Sequence, residues 1–227
     1  SRRIDRMRAD FIANASHELR APLTLIHAGA ELSLRKAENP EQRELLSDVL
    51  ADTNYMNKLI EDLLLLSRLD SGALKLEMQP VNLVDFAPEL LRQVDRLAQT
   101  RSVTFTHTVD PVQVYADPVR LKQILLIILD NAVRNTPAGG MVRLKAASTG
   151  HKGMIEIEDT GPGIPADMMD KVFDRFFKVN DQSSMDYRGS GLGLSIARSL
   201  VEAQHGTIAL VSKEGKGTIV TVALNLA

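Results

Sequence analysis

A break in helical periodicity constrains this chain more than any other feature. Between residues 4 and 35, Ile4, Met7, Phe11, Ala15, Leu19, Leu23, Ile26, Ala30 and Leu34 recur every three or four positions, the stripe of one long helix. Asn39-Pro40-Glu41 interrupts it. Asn39 can cap a new helix, Pro40 suits its first position, and Glu41 suits the positive end of its dipole. The second stripe repeats Val49, Met56 and Leu63 at heptad spacing, with Leu46, Thr53 and Ile60 interleaved, and stops at Asp70-Ser71-Gly72. Helices of about 30 residues are about 45 Å long, and a lone pair of them leaves much apolar stripe uncovered. The expectation for residues 1–72 is therefore an α-helical hairpin that dimerises into a four-helix bundle.

A linker at 73–80 precedes a second pattern, in which strands alternate with helices over 81–227. A helix is expected at 85–99 from Phe86, Leu90, Val94 and Leu97, and another to about 135 after Asp117 as cap and Pro118 at the first position. Strands are expected at 103–108, 112–115, 141–147, 154–159, 207–212 and 218–224, with a last helix at 191–205. Residues 178–189 have no periodicity and read as a lid loop.

Composition narrows the function. Charged residues are 25% of the 227, the net charge is −2, and no long basic run exists, so nucleic acid is not the expected partner. There is no cysteine, which removes disulfides and thiolate metal sites. No apolar run reaches the roughly 18 to 20 residues of a membrane span. The chain opens on Ser1-Arg2-Arg3 already in helical register and without a signal peptide. It therefore reads as a cytoplasmic piece of something longer, tied to a membrane only through a sensor region outside it.

Three groups of residues can carry chemistry. Ser16-His17-Glu18-Leu19-Arg20-Ala21-Pro22 sets an imidazole beside a carboxylate one turn before a proline, which removes a backbone donor and bends a helix. Asp159-Thr160-Gly161-Pro162-Gly163 follows a strand, and Gly189-Ser190-Gly191-Leu192-Gly193 precedes a helix. Glycines let backbone approach a ligand, and a helix amino end offers N–H groups to phosphate. Asn131 and Arg134 lie three apart on one helical face. Taken singly, these are an exposed histidine, plain turns and a solvated helix surface. Walker A and protein-kinase loops are absent, since Gly215-Lys216 is followed by Gly217 and no H-R-D or D-F-G pair occurs.

Taken together, they resemble the catalytic core of sensor histidine kinases over about residues 5–225. Phe11 to Arg20 followed by Pro22-Leu23-Thr24 is similar to that family's phosphoacceptor box, and the glycine clusters are similar to the two glycine boxes of the Bergerat ATP fold. Residues 123–137 resemble its asparagine box, and Phe173-Asp174-Arg175-Phe176-Phe177-Lys178 its F box, with Phe173 and Phe176 as packing anchors for the lid. The resemblance implies an α+β two-layer sandwich after the hairpin, ATP as substrate and Mg²⁺ as cofactor. His17 is then the acceptor and Glu18 its base. Asn131 is the Mg²⁺ ligand, Asp159 the adenine contact, and Arg134 and Lys178 the phosphate contacts. Gly161, Gly163, Gly189, Gly191, Leu192 and Gly193 shape the nucleotide pocket. The implied partners are a second copy of the hairpin and a response-regulator receiver domain.

Two positions depart from the family pattern. Ala21 stands where relatives carry a Thr or Asn that orients water for dephosphorylating the partner, which implies weak phosphatase activity. Ile127 stands where some relatives carry a second Asn, so Asn131 must hold the metal with fewer protein ligands. A nucleotide-binding scaffold without autokinase activity, and an ATPase doing conformational work, are the rival expectations.

Overall fold

The computed structural model describes residues 2–179 and 189–227, and within the first helix no side chain is described at 2–11, 13 or 17. It divides into two compact units, Ser1–Leu74 and Lys75–Ala227.

The first unit is α1 (Arg2–Lys36) and α2 (Pro40–Asp70). α2 starts as its sequence dictates, with the Asn39 side chain accepting the Glu41 N–H at 2.9 Å and Pro40 in the first turn. Helix α1 runs unbroken through Pro22, which cannot supply the donor that the Glu18 carbonyl would meet in a regular helix. Between the helices, Leu23, Ile60 and Leu64 form a buried cluster, each worth about 1.5–3 kcal/mol of burial. The buried Thr53 hydroxyl lies 3.0 Å from His27 Nδ1 and in reach of the Val49 and Leu50 carbonyls, so this polar group in the seam is satisfied.

Each helix carries a second apolar strip beside the buried one. Leu19 (48% exposed) and Ile26 (51%) sit one turn either side of Leu23, and Val49 and Met56 sit one turn before Thr53 and Ile60. The single stripe expected on α1 is therefore two: Leu23 and Ala30 are covered by the hairpin itself, and the flank is not.

The second unit is an α+β two-layer sandwich. In chain order it contains β1 (Gln79–Asn82), α3 (Leu83–Thr100), β2 (Thr104–Val109), β3 (Gln113–Ala116), α4 (Pro118–Asn135), β4 (Met141–Thr149), β5 (Lys152–Asp159), a short 3₁₀ turn (Ala166–Lys171), α5 (Gly193–Ala203), β6 (Thr207–Lys213) and β7 (Gly217–Asn225). Among the described residues, five strands form one sheet in the order β2-β4-β5-β7-β6, parallel only between β2 and β4, and β1 pairs antiparallel with β3 apart from it. β1 overlaps the end of the expected linker and runs into the second region, with Val81 buried.

Alternation fixes which sheet face is covered. Val142, Leu144 and Ala146 of β4, Ile155 and Ile157 of β5, and Val220 and Val222 of β7 are buried, while the opposite face carries polar residues such as the ion-paired Arg143 and Glu158. On α4 the i, i+3, i+4 pattern buries Leu121, Ile124, Leu125, Ile128 and Leu129. The strip beside it carries Ile127, Asn131 and Arg134.

Asp117 ties this unit together. One carboxylate oxygen accepts from the Val119 and Arg120 N–H groups as the cap of α4, and the other accepts from Glu77 N–H. Its own N–H donates to Oε1 of Gln204, a fully buried side chain whose Nε2 donates to the Leu200 carbonyl. Losing a cap and stranding buried donors together costs about 2–4 kcal/mol. Asp117→Ala is accordingly predicted to lower the unfolding free energy of the α/β unit by that amount, read as a fall in its urea midpoint. An unchanged midpoint would contradict the role given to this cap.

Candidate nucleotide site and acceptor helix

β5 ends on Asp159, paired with Val142 of β4 on one side and Thr218 of β7 on the other. Strand alternation turns its side chain to the helix-covered face with Ile155 and Ile157, so a carboxylate is carried into an apolar layer and left 8% exposed. Gly161 N–H donates to Asp159 Oδ1 at 2.8 Å, and the Thr218 N–H donates to the same carboxyl. Burial still dominates and pushes this carboxyl above the usual range, with the two N–H groups pulling it back and the neighbouring Glu158 charge raising it further.

The loop after Asp159 is moulded to its surroundings. A Cβ on Gly161 would meet the Asn135 carbonyl at 2.9 Å, which brings the end of α4 against this loop. Gly163 adopts φ +69 and would strike the Lys213 carbonyl with any Cβ, while Gly215 N–H donates to the Pro162 carbonyl at 2.7 Å. The β6–β7 turn thereby holds the loop from behind. Ser212 completes the contact by accepting Ile164 N–H at 2.9 Å and donating to the Gly217 carbonyl.

The second glycine cluster meets the F-box segment through backbone. Phe176 N–H donates to the Gly191 carbonyl at 2.9 Å, and a Cβ on Gly191 would lie 2.8 Å from Phe176 Cα. The Phe176 side chain is 60% exposed, so its expected packing role is corrected: the backbone forms the anchor, and the residue takes φ +64, rare for a bulky side chain. Phe173 does pack, beneath the Arg198 guanidinium of α5 at 5.5 Å. The expected lid lies largely in 180–188, outside the described residues.

Helix α5 begins at Gly193 rather than 191, without a side-chain cap. Leu192 is fully buried and its N–H donates to Ser190 Oγ at 3.1 Å, so its expected ligand contact is limited to backbone. A Cβ on Gly193 would lie 3.2 Å from Ile127 Cγ2. Ile127 thus packs at the start of α5, where a polar residue would face the same gap. Lys178 is exposed, and Gly189 half-exposed, on either side of the undescribed segment.

On α4, Arg134 Nε donates to Asp130 Oδ2 at 2.8 Å, and Asn135 Nδ2 donates to Asn131 Oδ1 at 3.0 Å. Arg134 and Asn135 also line an open cleft of about 470 Å³ with Arg101 and Pro162. The structure brings Asn131, Arg134, Asp159, Gly161, Gly191 and Gly193 onto neighbouring segments of one unit. Sequence reasoning missed Thr218 and Asn135. Asn135 was findable from its four-residue spacing to Asn131, whereas Thr218 reaches Asp159 only through strand pairing. In the hairpin unit, Glu18 and Ala21 are exposed on α1, and residue 17 lies within that helix.

Two family models match. Residues 7–72 match the His Kinase A (phospho-acceptor) domain, and residues 116–227 match the histidine kinase-, DNA gyrase B- and HSP90-like ATPase family. The chain is 35% identical over 206 residues to the probable sensor histidine kinase TcrY of Mycobacterium tuberculosis, covering 90% of this chain and 43% of that protein. Among solved structures, it resembles full-length ShkA in complex with AMPPNP (TM-score 0.80, 28% identity, 96% of this chain and 46% of that one). It also resembles the mycobacterial sensor histidine kinase MprB (TM-score 0.58, 31% identity, 65% of this chain and 98% of that one). The chain spans between 17% and 45% of the length of curated relatives such as TcrY.

The raised pKa of Asp159 has a testable sign. A carboxyl whose folded-state pKa is raised costs no stability below its unfolded value near 3.9, and the cost is complete above the folded value. Asp159→Asn removes that dependence. Its stability relative to wild type is predicted to improve as pH rises from about 4 through the raised pKa, as read by denaturant midpoints across pH. A pH-independent difference would contradict the burial of this charge.

Proposed function

We propose that this chain, which belongs to the sensor histidine kinase family, binds Mg-ATP in its α/β unit and phosphorylates its own His17. It then passes the phosphoryl group to an aspartate of a response-regulator receiver domain. The observation that carries the reading is the buried Asp159 carboxylate at the head of a glycine-lined loop, in a chain that also matches the phosphoacceptor-domain family.

The residues support distinct parts of the reaction. A carboxylate held by two N–H donors keeps acceptor capacity for an exocyclic amino group, which favours adenine over a base with a carbonyl at that position. Arg134 and Lys178 supply positive charge toward the phosphates, and the backbone at 189–193 lets them approach closely. Among the described residues no three His, Cys, Asp or Glu side chains gather into a cation cage. The donor set fits a hard cation that takes one amide oxygen, from Asn131, and otherwise phosphate oxygens and water. When bound, Mg²⁺ supplies charge neutralisation across the phosphates.

The neutral His17 imidazole attacks the γ-phosphorus, a P–N bond forms as the bond to the β-bridging oxygen breaks, and ADP leaves. Glu18, exposed beside it in the helix, takes the proton from the other ring nitrogen. Ala21, also exposed one turn on, has no polar atom to orient a water, which supports weak phosphatase activity. The uncovered strip of Leu19, Ile26, Val49 and Met56 supports association of two hairpins into a four-helix bundle. No helix among the described residues is long and apolar enough to cross a membrane.

Incubation with γ-labelled ATP and Mg²⁺ tests this directly. Wild type is predicted to gain acid-labile, base-stable label, and His17→Gln to lose it to background while still binding nucleotide. Label that survives the substitution would sink the assigned acceptor, and release of free phosphate alone would favour an ATPase.

A further inference from the structure

Asn135, one turn beyond Asn131, has no role in the reaction above, yet it touches both the helix and the first glycine loop. Its Nδ2 donates to the Asn131 backbone carbonyl at 2.8 Å and to Asn131 Oδ1 at 3.0 Å. Its own carbonyl lies against Gly161, where no Cβ would fit. Chemistry orders the two hydrogen bonds. A backbone carbonyl can only accept, so Asn135 must turn its nitrogen toward it, and the atom of Asn131 that meets this nitrogen must be the oxygen. An asparagine on a helix surface does not by itself choose which end of its amide faces which way. Here the neighbour chooses. An amide oxygen carries two lone pairs, so accepting from Asn135 is compatible with ligating a cation at the same atom.

We propose that Asn135 is a positioning residue for the metal-nucleotide site: through Asn131 Oδ1 it fixes where that amide oxygen stands, and through its carbonyl it sets this helix turn against Gly161. The inference rests on the reading of Asn131 as a cation ligand. A partner of this kind acts by restricting a ligand's orientation, and its loss weakens metal affinity without touching the metal. The effect should appear only when Mg²⁺ is present, because the nucleotide base and sugar make no use of the Asn131 amide.

The test is binding of a non-hydrolysable ATP analogue to the full chain by calorimetry, in Mg²⁺ and in excess EDTA. Wild type is compared with Asn135→Leu, which keeps the shape without the donor, with Asn135→Ala, and with Asn131→Ala. The Asn135 variants are expected to bind about three- to tenfold more weakly in Mg²⁺, the span of one exposed neutral hydrogen bond, and to change less than about twofold in EDTA. Melting temperatures close to wild type are expected, since Asn135 is exposed. Equal losses in both buffers, no loss in Mg²⁺, or tighter binding overturns the proposal. Asn131→Ala separates the two ways of failing. If it loses the Mg²⁺-dependent part of binding and the Asn135 variants do not, only the positioning role falls. If it loses none, the reading of Asn131 falls and the proposal falls with it.

Discussion

A carboxylate buried at the end of a central strand is costly unless donors meet it, and much of the α/β unit is arranged around meeting that cost at Asp159. Two backbone N–H groups reach it from opposite directions, Gly161 from its own loop and Thr218 from β7. Thr218 can be there only because β5 and β7 pair in register. Gly161 can be there only because the loop turns without a side chain beside Asn135. Gly163 then presses on the β6–β7 turn, so the strand pairing that supplies Thr218 also backs the loop that supplies Gly161. Loosening any one of these contacts leaves a charge in an apolar layer with fewer donors.

The hairpin unit answers a different constraint. Two long amphipathic helices cannot bury two apolar strips each with a single interface. Leu23, Ile60 and Leu64 take the covered seam, and the neighbouring strip of Leu19, Ile26, Val49 and Met56 is left exposed. Under the proposed function, such a strip would tie phosphorylation to association, because the helix that carries His17 also carries the surface that another hairpin would cover.

Local signals were legible in the sequence, and long-range ones were not. Asn39-Pro40 and Asp117-Pro118 announced helix starts because a cap and its donors lie within three residues. The alternation of β4 and β5 was equally readable. β1 was missed because four residues beginning Gln79-Pro80 have too short a period to register, and what makes them a strand is β3, more than thirty residues away. Phe176 was misjudged for a related reason. An aromatic in a loop suggests packing, but its backbone is fixed by a glycine on the far side of the undescribed segment. Of the nucleotide site, residue types and order were legible through resemblance. The Thr218 donor and the fixed orientation of the Asn131 amide needed coordinates.

If the end of β5 is what reads the base, discrimination at one exocyclic group follows. Affinities of ATP and ITP analogues, measured by calorimetry on wild type and Asp159→Asn, probe this with no chemistry intervening. Wild type is predicted to bind the adenine nucleotide at least about tenfold more tightly, because the six-carbonyl of ITP would oppose a carboxylate, and the variant to lose that preference. Equal affinities in the wild type would contradict it.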